Sequence, residues 1–222
     1  MSLLDRLIAI IAPHRCVGCG DEGPLLCRAC SSALTCLPAR CYRCRAVTKL
    51  SRTCRSCRAT SPLYRVTVGT NYETIAKELV WRLKFQGAQA AAGQIAEYLA
   101  TIYAAEAHIL IVPVPTSSKR VRQRGYDQAQ LLARELADRL GRRYLPCLTR
   151  VGQQHQVGAS RHQRLTQLTG AFRVKSSGVT GAHILLVDDV LTTGATLQAA
   201  ARALKAAGAK RVEAIVFAQA MN

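Results

Sequence analysis

A segment near the end of the chain combines acidic, hydroxyl-bearing and small residues in an order that suits a phosphate group. Residues 184–196 read Ile-Leu-Leu-Val-Asp-Asp-Val-Leu-Thr-Thr-Gly-Ala-Thr. The apolar start predicts a buried strand and residues 195–207 predict a helix, so the turn lies at the carboxyl end of a strand, where open α/β sheets bind ligands. Hydroxyls, a glycine and free N–H groups at the helix start favour a bound phosphate. The predicted phosphate-binding residues are Thr192, Thr193, Gly194, Ala195 and Thr196.

Two carboxylates precede this turn. Asp188 and Asp189 would repel a phosphate unless they face sugar hydroxyls or a divalent cation held by oxygen ligands. We expect both in a solvent-open crevice, where they repel each other when no ligand is bound. In the alternative interpretation the pair only caps the next helix, which explains neither the second Asp nor the three Thr residues around Gly194.

The segment resembles the phosphoribosyl-pyrophosphate (PRPP) signature of type I phosphoribosyltransferases at every defining position. The resemblance implies that Asp188 and Asp189 hold the ribose 2- and 3-hydroxyls and act in catalysis. It also implies that residues 192–196 surround the 5-phosphate and that Mg²⁺ accompanies PRPP.

Cysteine spacing predicts a second kind of site. Eight of the ten cysteines form four Cys-x-x-Cys knuckles: Cys16 and Cys19, Cys27 and Cys30, Cys41 and Cys44, Cys54 and Cys57. Two such knuckles complete one tetrahedral zinc site, so we predict two structural zinc ions rather than disulfides or a redox pair. Sequential pairing gives a double zinc ribbon, while the spacing also permits a cross-braced arrangement. Cys36 and Cys147 lie outside the pattern and are predicted to be buried or half-buried.

A basic segment follows the apolar strand at residues 108–114. Two prolines end that strand, and the predicted pyrophosphate-binding residues come next: Lys119, Arg120 and Arg124. Arginine suits bidentate contact with phosphate and lysine suits point-charge contact. The alternatives are a solvated helix start and a nucleic-acid patch.

With these two segments the chain resembles the ComF family over nearly its whole length. Where that family carries Arg-Gly-Phe-Asn-Gln, residues 124–128 read Arg-Gly-Tyr-Asp-Gln. Arg150, Gln156 and Arg164 also match, Gln167 stands where Asn is usual, and Gly-Ala-Phe follows at 170–172. The resemblance implies a cytoplasmic role in competence and DNA transformation, with competence or DNA-processing proteins as partners.

The element pattern predicts an α/β fold with a parallel sheet and helices on both faces. Together with the resemblance, it implies a type I phosphoribosyltransferase-like domain at 66–222 that follows a small N-terminal double zinc ribbon at 1–58, which includes a short N-terminal helix. Predicted strands are 65–70, 108–114, 144–151, 182–187 and 211–217, and predicted helices are 72–85, 88–105, 127–140 and 195–207, with Gly87 separating the first two. Leu79, Trp81 and Leu83 are predicted to be packing residues. Residues 152–169 resemble the hood loop of type I enzymes, and its His155 and His162 are interpreted as surface residues.

The excess of positive charge indicates a further, anionic partner. The formal net charge is +18, and residues 1–65 hold eleven Lys and Arg against three acids. Basic residues between the knuckles suit nucleic-acid phosphates, although solubility and compensation of the thiolates are alternatives. Because aromatic residues are scarce there, we predict sequence-independent binding of single-stranded DNA. The apolar run at 7–12 is too short to span a bilayer, so neither a signal peptide nor membrane insertion is expected.

Two functions of different class follow. The first is a PRPP-binding accessory of DNA uptake whose zinc module holds single-stranded DNA. The second is a true phosphoribosyltransferase that passes ribosyl 5-phosphate to a nitrogen acceptor, which the sequence does not identify. We expect the zinc module to unfold without metal while the α/β domain stays folded.

Overall fold

The computed structural model describes residues 15–86, 88–103, 108–151 and 170–220. The predicted N-terminal helix, Gly87 and the predicted hood loop with its two histidines lie outside the described residues, as do Gln156, Arg164 and Gln167. None of the described helices is long and apolar enough to cross a membrane.

Six strands and seven α-helices are described. The strands are β1 (Val66–Asn71), β2 (Ile109–Pro113), β3 (Leu148–Arg150), β4 (Phe172–Val174), β5 (His183–Leu191) and β6 (Arg211–Gln219). The helices are α1 (Arg28–Ser32), α2 (Arg55–Arg58), α3 (Thr74–Phe85), α4 (Ala88–Ile102), α5 (Ser118–Arg124), α6 (Gln128–Leu140) and α7 (Ala195–Ala206). Short 3₁₀ turns cover Lys49–Ser51 and Ser177–Val179.

The central sheet has the order β1-β6-β5-β2, and every pair in it is parallel. Helices α3, α4 and α6 pack on one face, while α7 and the β3–β4 pair pack on the other. This layering confirms the predicted α/β class with helices on both faces. All four strands end at the same edge, so the residues that follow them meet there.

One predicted strand of this sheet is wrong. Residues 144–151 were expected to extend the parallel sheet, but only Leu148–Arg150 is a strand, and it pairs antiparallel with β4 in a separate two-stranded sheet. Tyr144 makes a single bridge to Ile111. Pro146 interrupts the segment because proline has no N–H group to donate to a neighbouring strand.

Two expectations about packing are also wrong. Leu79 and Leu83 are fully buried as predicted, but Trp81 is 41% exposed. Residues four apart share one helix face, whereas a residue midway between them points to the opposite side. Cys36 is exposed, while Cys147 is buried as expected.

The N-terminal module shares the core of the α/β domain. Leu25 and Leu26, between the first two knuckles, are buried in the same cluster as α3, α4 and α6. Tyr42, from the third knuckle, lies in the cluster on the other face of the sheet. Burying one leucine contributes about 1.5–3 kcal/mol. Loss of zinc should therefore weaken the whole chain, which revises the expectation of an independently folded α/β domain.

Candidate functional site

The predicted phosphate turn lies at the carboxyl end of β5. The strand runs to Leu191, four residues beyond the predicted end at Val187, so both aspartates belong to it. Gly194 begins α7 with a φ of 75°, a left-handed conformation that glycine adopts without strain. A Cβ at Gly194 would also lie 3.2 Å from the Tyr42 ring. The backbone conformation favours glycine here, and any larger residue would press on the Tyr42 ring.

A crevice of about 400 Å³ opens beside this turn. It is lined by several of the predicted residues: Asp188, Asp189, Thr192, Thr196 and Arg120. It is also lined by polar residues that were not predicted as site residues: Tyr72, Lys84, Thr116, Gln128 and Arg150. Two carboxylates, hydroxyls and three cations therefore surround one space, which is the composition expected for a sugar phosphate and a hydrated cation.

The two carboxylates differ in their surroundings. Asp189 has a side chain only 8% exposed, and its Oδ2 lies 2.9 Å from Nζ of Lys84. Burial raises the pKa of Asp188 well above its ordinary value, and the charge of Asp189 raises it further. The backbone N–H of Asp189 donates to Asp188 Oδ1 at 2.9 Å. The expectation of two solvent-open carboxylates is therefore wrong for Asp189, because Lys84 covers and compensates it.

The three predicted pyrophosphate-binding residues all lie on α5, but their side chains have different surroundings. Arg120 lines the crevice, Lys119 is exposed, and Arg124 packs with its guanidinium 5.1 Å from the centre of the Phe85 ring. Arg150 lines the crevice from β3; burial lowers its pKa, and the neighbouring charge of Arg120 lowers it further. The crevice thus receives its cations from three elements rather than from one basic segment.

Both departures from the family pattern at 126–127 have structural roles. Asp127 caps α6 by accepting hydrogen bonds from the backbone N–H groups of Ala129 at 3.0 Å and Gln130 at 3.4 Å. Its second carboxylate oxygen accepts from the N–H of Thr116 at 2.9 Å, which fixes the loop after β2 beside the crevice. The Tyr126 hydroxyl donates to the carbonyl of Leu83 at 3.0 Å and so joins this segment to α3.

The eight knuckle cysteines form two clusters. Cys16, Cys19, Cys27 and Cys30 form one cluster and Cys41, Cys44, Cys54 and Cys57 the other, and within each cluster the sulfur atoms lie within 4.8 Å of one another. Knuckles therefore pair sequentially, which excludes the cross-braced arrangement. The Ser56 hydroxyl lies 3.3 Å from Cys54 Sγ, and this contact together with the backbone N–H of Cys57 lowers the pKa of that thiol to about 6. Four sulfurs at this spacing fit one tetrahedral zinc ion in each cluster.

The second cluster adjoins the phosphate turn. Tyr42 packs against Gly194, and its hydroxyl lies 2.7 Å from that of Ser61. Beside this contact a second cavity of about 510 Å³ lies between the second zinc ribbon, strand β1 and the end of β6. Its wall includes Gln219, which is 4% exposed and whose Nε2 finds no hydrogen-bond partner in the described part of the chain. A ligand with a polar edge would satisfy that amide.

The α/β part of the chain matches a known family. The sequence model of the phosphoribosyl transferase domain matches residues 86–222. The chain belongs to this family. The solved glutamine PRPP amidotransferase of B. subtilis is 22% identical, with a TM-score of 0.42 over 58% of this chain and 26% of that chain.

Two relatives are named for competence and for DNA utilization. Competence protein ComFC of Bacillus subtilis is 34% identical over 137 residues, which cover 60% of this chain and 55% of the relative. DNA utilization protein YhgH of Salmonella typhi is 39% identical over 107 residues, or 46% of each chain. The matched part therefore spans about half the length of these relatives. These names and the two cysteine clusters confirm the predicted likeness to the ComF family.

Proposed function

We propose that the chain binds PRPP with Mg²⁺ in the crevice at the end of β5 and serves DNA uptake in the cytoplasm. The crevice carries this proposal, because two carboxylates, the hydroxyl residues Thr192 and Thr196 and three cations surround about 400 Å³. Thr192, Thr193 and Thr196, with the backbone N–H groups of Gly194 and Ala195, would hold the 5-phosphate. Asp188 and Asp189 would accept hydrogen bonds from the ribose 2- and 3-hydroxyls.

The cations of the crevice suit the pyrophosphate. Arg120 and Arg150 line the crevice from two different elements, α5 and β3, and a guanidinium can bind phosphate through two parallel hydrogen bonds. Lys119 and Arg124 stand on the same helix as Arg120 and add positive potential at the rim. Bound Mg²⁺ would supply positive charge to the pyrophosphate and ribose oxygens. The carboxylates suit this ion, since Mg²⁺ prefers oxygen ligands.

Single-stranded DNA is the proposed second ligand. The relatives named for competence and DNA utilization support it, as does a formal net charge of +18. Phosphate contacts from Lys and Arg give binding that falls with salt and depends little on base sequence. Competence and DNA-processing proteins are the proposed protein partners.

A second candidate is transfer of ribosyl 5-phosphate from PRPP to a nitrogen acceptor. The cavity beside Gln219 favours it, because that cavity lies next to the phosphate turn and contains an unsatisfied buried amide. Positioning and electrostatic stabilisation of the leaving pyrophosphate would supply the catalysis. Pyrophosphate release from PRPP and Mg²⁺, measured with and without single-stranded DNA, tests for turnover. Release that requires single-stranded DNA would identify the DNA as the source of the acceptor nitrogen and would join the two candidates.

Calorimetric titration with PRPP and Mg²⁺ tests the primary proposal. The double substitution Asp188→Asn plus Asp189→Asn should abolish binding, because neutral amides neither attract the cation nor accept as strongly from the ribose. Asp138→Asn, an exposed site on α6, is the matched control and should bind as the parent does. Undiminished binding in the double variant, or none in the parent, would refute the PRPP site.

A further inference from the structure

Two exposed aromatic side chains stand together on helix α3. Trp81 is 41% exposed and Phe85 is 57% exposed, whereas the two other phenylalanines, Phe172 and Phe217, are buried. Trp81 and Phe85 are one helical turn apart, and their ring centroids lie 5.9 Å from each other with planes tilted by 47°. The chain therefore presents a continuous aromatic surface to solvent.

Cations flank both rings. The guanidinium of Arg82 lies 5.8 Å from the Trp81 ring centre, and that of Arg124 lies 5.1 Å from the Phe85 ring centre. Arg82 is also paired with Glu78 at 2.9 Å, so the net positive charge at this surface comes mainly from α5. Three exposed cations stand on that helix, Lys119, Arg120 and Arg122, and residues 107–126 contain no acidic residue.

This aromatic platform, defined as Trp81, Phe85 and Arg124, adjoins the crevice. Lys84, on the same helix, lines the crevice, and so does Arg120, on the helix that carries Arg124. Single exposed apolar residues are common on protein surfaces and need no explanation. A pair of adjacent rings bordered by cations is different, because an apolar protein partner would desolvate the exposed cations of α5 without pairing them.

We propose that the aromatic platform stacks the nucleobases of single-stranded DNA while the cations of α5 hold the adjoining phosphates. The proposal rests on the single-stranded DNA binding proposed above, and it places base contact on α3 and α5 rather than on the zinc ribbons. Every nucleobase has a π-face, so stacking tolerates any sequence. Bases inside a duplex are already stacked on each other, and single strands are therefore preferred.

The single tryptophan provides the test. Because Trp81 is the only Trp of the chain, its intrinsic fluorescence reports this surface alone. The full-length protein is titrated with a labelled oligothymidylate while anisotropy and tryptophan emission are recorded together. We expect quenching that saturates along the anisotropy curve. Trp81→Leu and Phe85→Leu should each raise Kd about tenfold, whereas Trp81→Phe, which keeps a ring, should stay near the parent.

The two readouts separate this inference from the DNA-binding proposal. In one outcome, anisotropy reports DNA binding by the parent, but its tryptophan emission does not change and Trp81→Leu binds DNA with the parent's Kd. This outcome would overturn the platform and leave DNA binding intact. No anisotropy change in the parent would overturn both. Sedimentation without DNA tests for self-association. A parent dimer that is lost in Trp81→Leu would assign the surface to a second copy of the chain and overturn the platform.

Discussion

Lys84 should stabilise the empty crevice, and its replacement by methionine tests this. Its ammonium lies 2.9 Å from Asp189 Oδ2, with side chains 22% and 8% exposed. Breaking a fully buried pair costs about 3–5 kcal/mol, whereas exposed pairs contribute about 0–1 kcal/mol. The burial of this pair lies nearer the first case, and Asp188 stands beside it with a raised pKa. We expect Lys84→Met to lower the free energy of unfolding by about 2–3 kcal/mol at neutral pH.

The loss should appear as a melting temperature lower by about 4–12 °C, since about 1 kcal/mol shifts a chain of this length by about 2–4 °C. It should shrink as the pH falls through the pKa of Asp188, because protonation removes the repulsion that Lys84 offsets. Lys77→Met, an exposed lysine on the same helix, is the control and should change stability by less than about 0.5 kcal/mol. Adding Asp189→Asn should recover most of the loss. A Lys84→Met variant as stable as the control would refute the ion-pair reasoning.

Three further predictions follow from the structure. Elemental analysis should find two zinc ions per chain, and Cys16→Ser should lose one of them and lower the melting temperature of the whole chain, because Leu25 and Leu26 share its core. Burial and the charge of Asp189 raise the pKa of Asp188. The parent's free energy of unfolding should therefore fall relative to that of Asp188→Asn as pH rises from about 4 through that pKa. Urea titrations at several pH values would contradict this if the free energy of unfolding changed equally with pH in both proteins. Affinity for oligothymidylate should fall at least about tenfold between about 50 and 200 mM salt, and a salt-independent Kd would argue against phosphate contacts.

The signature strand and its turn were predictable because local pattern and fold agree there. The apolar run, the small residues and the following helix all point to one strand-turn-helix unit, and α7 ends at Ala206, one residue before its predicted end. The strand itself extends further than its composition indicates. Asp188 and Val190 pair with Val216 and Ala218 of β6, and this pairing overrides the low strand propensity of aspartate.

Other site residues have no local signal. Lys84 lies in an ordinary amphipathic helix and Arg150 in a three-residue strand, and both reach the crevice only through packing of distant segments. Similarly, apolar character alone assigns Leu79, Leu83 and Trp81 to one core, whereas only the two leucines are buried. The side on which Trp81 stands follows from the helix period, and its exposure depends on which elements cover that side.

The second zinc ribbon takes part in forming the candidate site. Tyr42 of the third knuckle packs against Gly194, so a metal ion held by Cys41 and Cys44 would keep this side chain in contact with the phosphate turn. The same ribbon walls the cavity beside Gln219. Zinc loss from the second cluster would therefore remove a support of the phosphate turn and a wall of the neighbouring cavity together. A metal that serves only folding of a separate module would leave both unchanged, and the contact between Tyr42 and Gly194 argues against that separation.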